Sequence, residues 1–134
     1  MTAPPFPSSA AARRILLVDD EPTIRNAMRR YLVRQGWAVD EAEDAGGALA
    51  LLFGPGAARY DVIVCDLLMP GMSGEELYDR LVAEHPPLAR RVIVTTGDPW
   101  QAERVVARTG VAVLNKPFEL AELRAVVVQV AEAA

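Results

Sequence analysis

Five short, unbroken apolar segments are spaced along the chain, and a stretch with helical periodicity follows each of them. The segments are 15–18, 37–39, 62–65, 92–94 and 111–114. A short apolar run without polar alternation is typical of a strand that is buried on both faces. Strict alternation of such strands with helices predicts an α/β fold, in which helices cover both faces of a parallel sheet and the crossovers are right-handed.

The segments between the strands carry recognisable helix start and stop signals. The first helix is expected from Pro22 to Gly36, because proline suits the first helical position and glycine the position after the last. Ser73 and Glu76 have the spacing of a capping box, which predicts the start of the third helix. A proline pair, 86–87, is expected to end it. The remaining helices are expected at about 45–52, 100–108 and 120–130.

Length, charge and cysteine content narrow the class of protein. The 134 residues fit one domain, with residues 1–12 as a tail or linker rich in Pro, Ala and Ser and residues 13–134 as the folded unit. The net charge of −4 argues against nucleic-acid binding through bulk charge. No apolar run approaches the roughly 18 residues that span a bilayer, and no signal peptide is recognisable, so the cytoplasm is the expected compartment. The single cysteine, Cys65, excludes a disulfide framework and is interpreted as a small buried hydrophobe.

Polar residues stand directly after four of the predicted strands, where a parallel sheet brings them to one edge. They are, in chain order, Asp19, Asp20, Asp66, Thr95, Thr96 and Lys116, the only lysine. Crowded carboxylates suit Mg²⁺, and an aspartate can accept a phosphoryl group as a nucleophile. A lysine ammonium and a threonine hydroxyl can stabilise the other phosphoryl oxygens. The set contains neither a histidine base nor a glycine-rich nucleotide loop, so it indicates phosphoryl transfer from a donor that is already activated.

Four motifs, in order and at suitable spacing, carry a resemblance to a known family. They are 19–21, 66–74, 96–97 and 116–118. On these residues the chain resembles, over about residues 13–131, the receiver domain of two-component response regulators. The resemblance implies a flavodoxin-like (βα)5 fold with strand order 2-1-3-4-5. It also implies a signalling switch that accepts a phosphoryl group from a histidine kinase or a small phosphodonor, and that catalyses only its own phosphorylation and dephosphorylation.

The same resemblance assigns roles to individual residues. Asp66 would be the phosphoacceptor, and Thr96 and Lys116 would contact the phosphoryl group. The Lys116–Pro117 peptide bond would be cis. The groups that would hold Mg²⁺ are Asp19 (through water), Asp20, Asp66 and the backbone carbonyl of Leu68. Thr96 is preferred to Thr95 because it precedes a glycine, although a slip of one residue would exchange the two faces of the strand.

The chain also departs from the family pattern. Val113 stands where family members often carry a Tyr or Phe that couples to the threonine, and the interval 96–116 is about two residues short, so the output route is open. Residues 98–99 and 118–123 are similar to receivers at the C-terminal ends of hybrid histidine kinases. Residues 1–12 would then serve as the linker.

Two surface features suggest partners. Arginines 25, 29, 30 and 34 lie on the outer side of the first helix, and they are either a solvated face or part of the surface that docks a histidine kinase. Trp100 marks the fourth helix as a candidate contact site, and a homodimer is compatible with the pattern.

Other functions fit the residues less well. A phosphorylation-independent pseudo-receiver that binds proteins is the main alternative, but it would require a broken acidic set. An aspartate phosphatase of the haloacid-dehalogenase type would need Asp-x-Asp after the first strand, and a flavodoxin-type binder would need a Ser-, Thr- or Gly-rich loop there. The pair at 19–20 could also merely cap a helix, an interpretation that Asp66 and Lys116 disfavour.

Overall fold

Five parallel strands form the centre of the molecule. The computed structural model describes residues 13–57 and 59–133, so the predicted tail at 1–12 lies outside the described residues. The strands are β1 (Arg14–Val18), β2 (Ala38–Ala42), β3 (Val62–Asp66), β4 (Val92–Thr96) and β5 (Ala112–Asn115). They pair in the order β2-β1-β3-β4-β5, each parallel to its neighbour. The predicted fold class and strand order are therefore confirmed.

Among the described residues, four helices of two turns or more connect the strands, and a fifth follows β5. They are α1 (Pro22–Arg34), α2 (Ala45–Phe53), α3 (Gly74–Glu84), α4 (Pro99–Thr109) and α5 (Leu120–Ala133). A one-turn helix, Pro86–Ala89, lies between α3 and β4. Within the described part of the chain, no helix combines the length and the apolar character that crossing a membrane requires.

Alternate side chains of the strands build two separate cores, one on each face of the sheet. On β1, Leu16 and Val18 pack with α2 and α3, whereas Ile15 and Leu17 pack with α1 and α5. This period of two is the ordinary consequence of the pleat. Cys65 on β3 is buried and belongs to the first of these cores, as the sequence predicted. Both faces are covered, which is why β1, β3, β4 and β5 read as largely apolar runs.

The start of α3 is positioned against the end of β3. Ser73 accepts a hydrogen bond from the backbone N–H of Glu76, and the Glu76 carboxylate accepts one from the N–H of Ser73, so the predicted capping box is confirmed. A Cβ on Gly74 would overlap the backbone carbonyl oxygen of Asp66. Only glycine lets the helix begin this close to the sheet.

One local prediction was wrong in its extent, and one short element was not predicted. The second strand was expected at 37–39 but runs to Ala42, because every residue of β2 pairs with β1 although Asp40 and Glu41 are polar. The proline pair does end α3, but a new helical turn begins at Pro86. His85 caps this turn by accepting a hydrogen bond from the Leu88 N–H. Pairing of the edge strand β2 with β1, and the cap that His85 provides, thus extend regular structure beyond what the local sequence predicts.

Candidate metal centre

Three carboxylates meet at the carboxyl edge of the sheet. Asp19 and Asp20 follow β1, and Asp66 is the last residue of β3. One oxygen from each carboxylate lies within 4.8 Å of the others. Asp19 and Asp66 are nearly buried, at 1% and 6% exposure, while Asp20 is open to solvent. The sequence-predicted acidic set is therefore brought together in the fold.

Lys116 places its ammonium among these carboxylates. Its Nζ lies 3.2 Å from Oδ2 of Asp19 and 3.4 Å from Oδ2 of Asp66. The peptide bond to Pro117 is cis, as predicted. The Lys116 backbone N–H donates to the Thr96 carbonyl oxygen at 2.7 Å, which ties the end of β5 to the end of β4. Sheet pairing thus holds the lysine backbone at the site.

The local electrostatics favour an added cation. Burial raises the pKa of Asp66 above its ordinary value; Lys116 opposes this rise, and Asp19 adds to it. Burial also opposes the charge of Lys116, but the carboxylates of Asp66 and Asp19 outweigh it, and the pKa of the lysine is raised. One ammonium faces three carboxylates, so negative charge remains in excess. Carboxylate oxygens in such a cluster are the ligands that Mg²⁺ prefers.

The turn that follows β1 holds Asp19 in place. Its Oδ1 accepts a hydrogen bond from the Glu21 N–H at 2.8 Å, and its backbone carbonyl accepts one from the Arg25 guanidinium at 2.5 Å. Its own N–H donates to the carbonyl of Ala42 at 3.1 Å. Asp19 is therefore fixed on three sides, and its second carboxylate oxygen is the one that contacts Lys116.

The cleft at this edge also distinguishes the two threonines. Thr96 and Gly97 line it together with Leu68, whereas Thr95 does not. Thr96 Oγ1 accepts a hydrogen bond from the Asp98 N–H at 3.1 Å, which leaves its hydroxyl hydrogen free to be donated elsewhere. The Asp98 carboxylate in turn caps α4. Thr96 is thus the threonine that faces the carboxylates, on the side that the sequence preferred.

Two residues at the site, both within recognised motifs, have contacts that the sequence did not predict. Glu21 lines the cleft, and its Oε1 lies 3.7 Å from Lys116 Nζ. Gly74 allows the close approach of α3 to Asp66. Glu21 stood inside a recognised motif and Gly74 directly after a capping serine, so both had a sequence signal, but their contacts depend on the tertiary fold.

Two of the four arginines on the outer face of α1 form ion pairs, so this face is not simply solvated. Arg25 and Arg29 both pair with Glu41 on β2, at 3.0 Å and 3.2 Å. Arg30 and Arg34 are exposed. On α4, Trp100 is 82% exposed, as the sequence suggested for a surface aromatic.

Comparison with known proteins assigns the class. Residues 15–128 match the family described as the response regulator receiver domain, and the chain belongs to that family. A phosphoryl-accepting signalling switch is the standard role of this family, and its members bind Mg²⁺ through an acidic pocket. They interact with histidine kinases and downstream effectors.

Individual proteins that this chain resembles are of the same class. The transcriptional regulatory protein ResD of Bacillus subtilis (strain 168) is 41% identical over 92 residues, which cover 69% of this chain and 36% of that protein. The response regulator TrrA of Thermotoga maritima, solved in complex with Mg²⁺-BeF, has a TM-score of 0.75 and 28% identity, with 88% of this chain and 98% of that chain covered. The signal receiver domain of a histidine kinase from Syntrophus aciditrophicus has a TM-score of 0.75 and 27% identity, with 92% of each chain covered. The chain spans less than half the length of the curated relatives that it matches.

Proposed function

We propose that Asp66 is the residue that accepts the phosphoryl group. The observation that carries this assignment is its position: Asp66 is a nearly buried carboxylate at the end of the central strand β3, with Lys116 Nζ 3.4 Å from Oδ2. Asp19 is more deeply buried, and its oxygens are occupied by the Glu21 N–H and by Lys116. Of the three clustered carboxylates, Asp66 is the one that combines a lining position in the cleft with a nearby ammonium.

The side chains at the cleft define the proposed reaction. A carboxylate oxygen of Asp66 attacks phosphorus in line, the bond from phosphorus to the donor breaks, and an acyl phosphate forms. With a phosphohistidine donor the leaving imidazole nitrogen takes a proton. Lys116 and the Thr96 hydroxyl donate to phosphoryl oxygens and stabilise the charge that the group carries. Hydrolysis by water later restores the carboxylate.

The donor set fits Mg²⁺: Asp20, Asp66 and the backbone carbonyl of Leu68 would hold the ion, and Asp19 would contact it through water. Bound there, Mg²⁺ neutralises phosphoryl charge that the single lysine leaves uncompensated. The excess of carboxylates over cationic groups at the cleft supports this assignment. Lys116 has a separate duty, since it balances the buried charge of Asp19 whether or not a cation is bound.

The kinase-docking surface is proposed to be the apolar groove beside the site. A cavity of about 480 Å³ lies between α1 and the segment after β5, and it is lined by Thr23, Ile24, Ala27, Met28, Lys116, Pro117, Phe118 and Leu120. Lys116 belongs both to this groove and to the acidic cleft. A partner seated in the groove would therefore hold a phosphohistidine next to Asp66.

The first experiment measures the intact mass of the protein after incubation with acetyl phosphate, with and without Mg²⁺. We expect one Mg²⁺-dependent phosphoryl adduct in the wild type and in the surface control Asp79→Asn, and none in Asp66→Ala. If the wild type forms no adduct and binds no Mg²⁺, the phosphoacceptor assignment fails and the chain works as a binding module.

A second experiment separates docking from chemistry. Histidine kinase cores, autophosphorylated with radiolabelled ATP, are screened for transfer to the wild type. Ala27→Glu should then lower transfer from any active kinase by about tenfold while leaving the acetyl phosphate adduct unchanged, because it places a charge in the groove. Val33→Glu puts the same charge on an exposed position of α1 outside the groove. Equal effects of the two variants would contradict the proposed docking surface.

A further inference from the structure

A second concave site lies at the opposite edge of the sheet from the carboxylates. A cavity of about 420 Å³ is formed by the end of α2, the approach to β3, the one-turn helix and the residue before β4. Its volume is within the range of about 300–1,000 Å³ that small-molecule sites occupy. None of its lining residues belongs to the phosphoryl site, so it requires a separate explanation.

The lining is cationic although the chain is acidic overall. Arg59 and Arg91 contribute the charge, His85 adds an imidazole, and no Asp or Glu lines the cavity. Among the described residues, neither arginine forms an ion pair with an acidic side chain. Arg91 Nη1 donates to the backbone carbonyl of Asp61 at 3.2 Å, which positions its guanidinium and leaves the other N–H donors for a ligand. A guanidinium of this kind suits a carboxylate, which it can bind through two parallel hydrogen bonds.

Aromatic and aliphatic side chains line the same cavity as the two arginines. Phe53 is 44% exposed, and its ring centroid lies 6.4 Å from that of His85 at an interplanar angle of 46°. His85 uses Nδ1 to accept the Leu88 N–H, so the neutral ring has Nε2 as its donor. The hydroxyl of Tyr60, which is buried in the floor, already donates to Asp40 at 2.6 Å. The Tyr60 hydroxyl is therefore already engaged, and the side-chain donors that remain in the lining are those of Arg59, Arg91 and His85.

We propose that this cavity binds a small aromatic carboxylate, with the ring against Phe53 and His85 and the carboxylate at Arg59 and Arg91. Apolar walls with a few convergent donors are the usual composition of a small-molecule site. The absence of acidic lining residues selects an anion over a neutral or cationic ligand. The cavity shares no lining residue with the acidic cleft, so the proposal does not require a phosphoryl group or Mg²⁺ for binding.

The test is a titration of isotopically labelled protein with naphthoate, followed by amide chemical shifts without Mg²⁺ or a phosphodonor. We expect saturable shifts centred on Phe53, His85 and Arg91, with a Kd of about 1 mM or tighter for a ligand of this size. Naphthamide, which has the same ring without the charge, should bind at least about fivefold more weakly. Equal binding of naphthamide, shifts centred on the α1 groove, or no saturation at tens of millimolar would each overturn the proposal.

A matched pair of variants checks the role of charge. Arg59→Gln should weaken naphthoate binding by about fivefold or more, because it removes one guanidinium from the lining. Arg90→Gln makes the same change in net charge at an exposed position outside this cavity, and it should leave the Kd within about twofold. If the two variants bind naphthoate equally, the effect is one of net charge and the proposed site is wrong. Both positions are exposed, so an unchanged pattern of amide shifts in the free protein confirms that each variant folds.

Discussion

Gly74 meets the end of β3 so closely that a side chain on it would overlap the backbone carbonyl of Asp66. The first turn of α3 therefore rests directly on the residue that is proposed to accept the phosphoryl group. The Gly74 N–H also donates to the carbonyl of Leu67 at 2.9 Å, which anchors this contact. A shift of the Asp66 backbone would displace the start of α3 directly, because Gly74 contacts it without any intervening residue.

Gly74→Ala is expected to destabilise the protein by about 1–3 kcal/mol, because the added methyl group forces backbone movement in a packed region. Urea denaturation measures this loss. Gly46→Ala is the control, since Gly46 is exposed in α2 and the nearest atom to a Cβ there is 3.6 Å away. That substitution should stabilise the protein by about 0.5–1 kcal/mol through helix propensity. The same sign for both variants would contradict the close contact.

Asp66→Asn is expected to stabilise the Mg²⁺-free protein at neutral pH by about 1 kcal/mol, a common size for a single stabilising change. The amide removes one buried negative charge from the cluster that it forms with Asp19 and Asp20. Asp20→Asn should have a smaller effect, because Asp20 is exposed and its charge is solvated. Thermal unfolding in the presence of a chelator compares the three proteins. A destabilised Asp66→Asn would mean that the ion pair with Lys116 dominates.

Mg²⁺ is expected to stabilise the wild type by about 2.7 kcal/mol at a hundred times its Kd, because it binds only the folded protein. Asp20→Asn should lose most of this gain, since it removes an exposed ligand without disturbing the buried pair of Asp19 and Lys116. The measurement is the melting temperature as a function of Mg²⁺ concentration. An unchanged Mg²⁺ response in Asp20→Asn would remove this residue from the ligand set.

Thr96→Val is expected to slow formation of the phosphoryl adduct by about tenfold, because it removes a donor to a phosphoryl oxygen. Thr95→Val should change the rate by less than about twofold, since Thr95 does not line the cleft. Both threonines are buried, so a comparison of unfolding curves shows whether either variant is simply less stable. The opposite ranking of the two rates would reassign the donor to Thr95.

Glu75 on α3 is expected to make the stability of the protein depend on pH. Hydrogen bonds from Arg104 and Arg108 on α4 outweigh its partial burial, and the pKa of Glu75 lies below its ordinary value. A lowered folded-state pKa means that the stabilisation is fully present above the ordinary range of glutamate. It is lost as the pH falls through the folded-state value.

The measurement compares unfolding of the wild type and Glu75→Gln from neutral to acidic pH. The wild type should be more stable at neutral pH, and the difference should shrink as the pH drops below the ordinary glutamate range. Glu84→Gln is the control, because Glu84 pairs only with Arg80 one turn away and is about half exposed. A Glu75→Gln difference that is constant over the whole pH range would contradict the pairing.

The strands, and the edge of the sheet that carries the site, could be predicted because each depends on a local sequence signal. Apolar runs ended at Asp19, at Asp66 and at the pair Thr95-Thr96, and parallel order then placed these residues at one edge. The length of β2 could not be predicted, since Asp40 and Glu41 are polar and only pairing with β1 makes them strand residues. Local sequence carries no information about such pairing.

Contacts between helices could not be predicted from the sequence either. The ion pairs that join Glu75 to Arg104 and Arg108 cross from α3 to α4, and no spacing within either helix indicates them. The cationic cavity at the other edge of the sheet could not be predicted either, because Arg59 and Arg91 reach it from positions just before two different strands. Their convergence depends on sheet order and on loop geometry, which composition does not encode.

Asp19 and Lys116 are bonded at 3.2 Å although 97 positions separate them along the chain. Contacts of such long sequence separation form only when most of the fold is in place. A chain emerging from the ribosome therefore cannot complete the proposed phosphoryl site until β5 has been made and has joined the sheet. Unfinished copies that lack β5 therefore also lack the Lys116 ammonium beside Asp19 and Asp66.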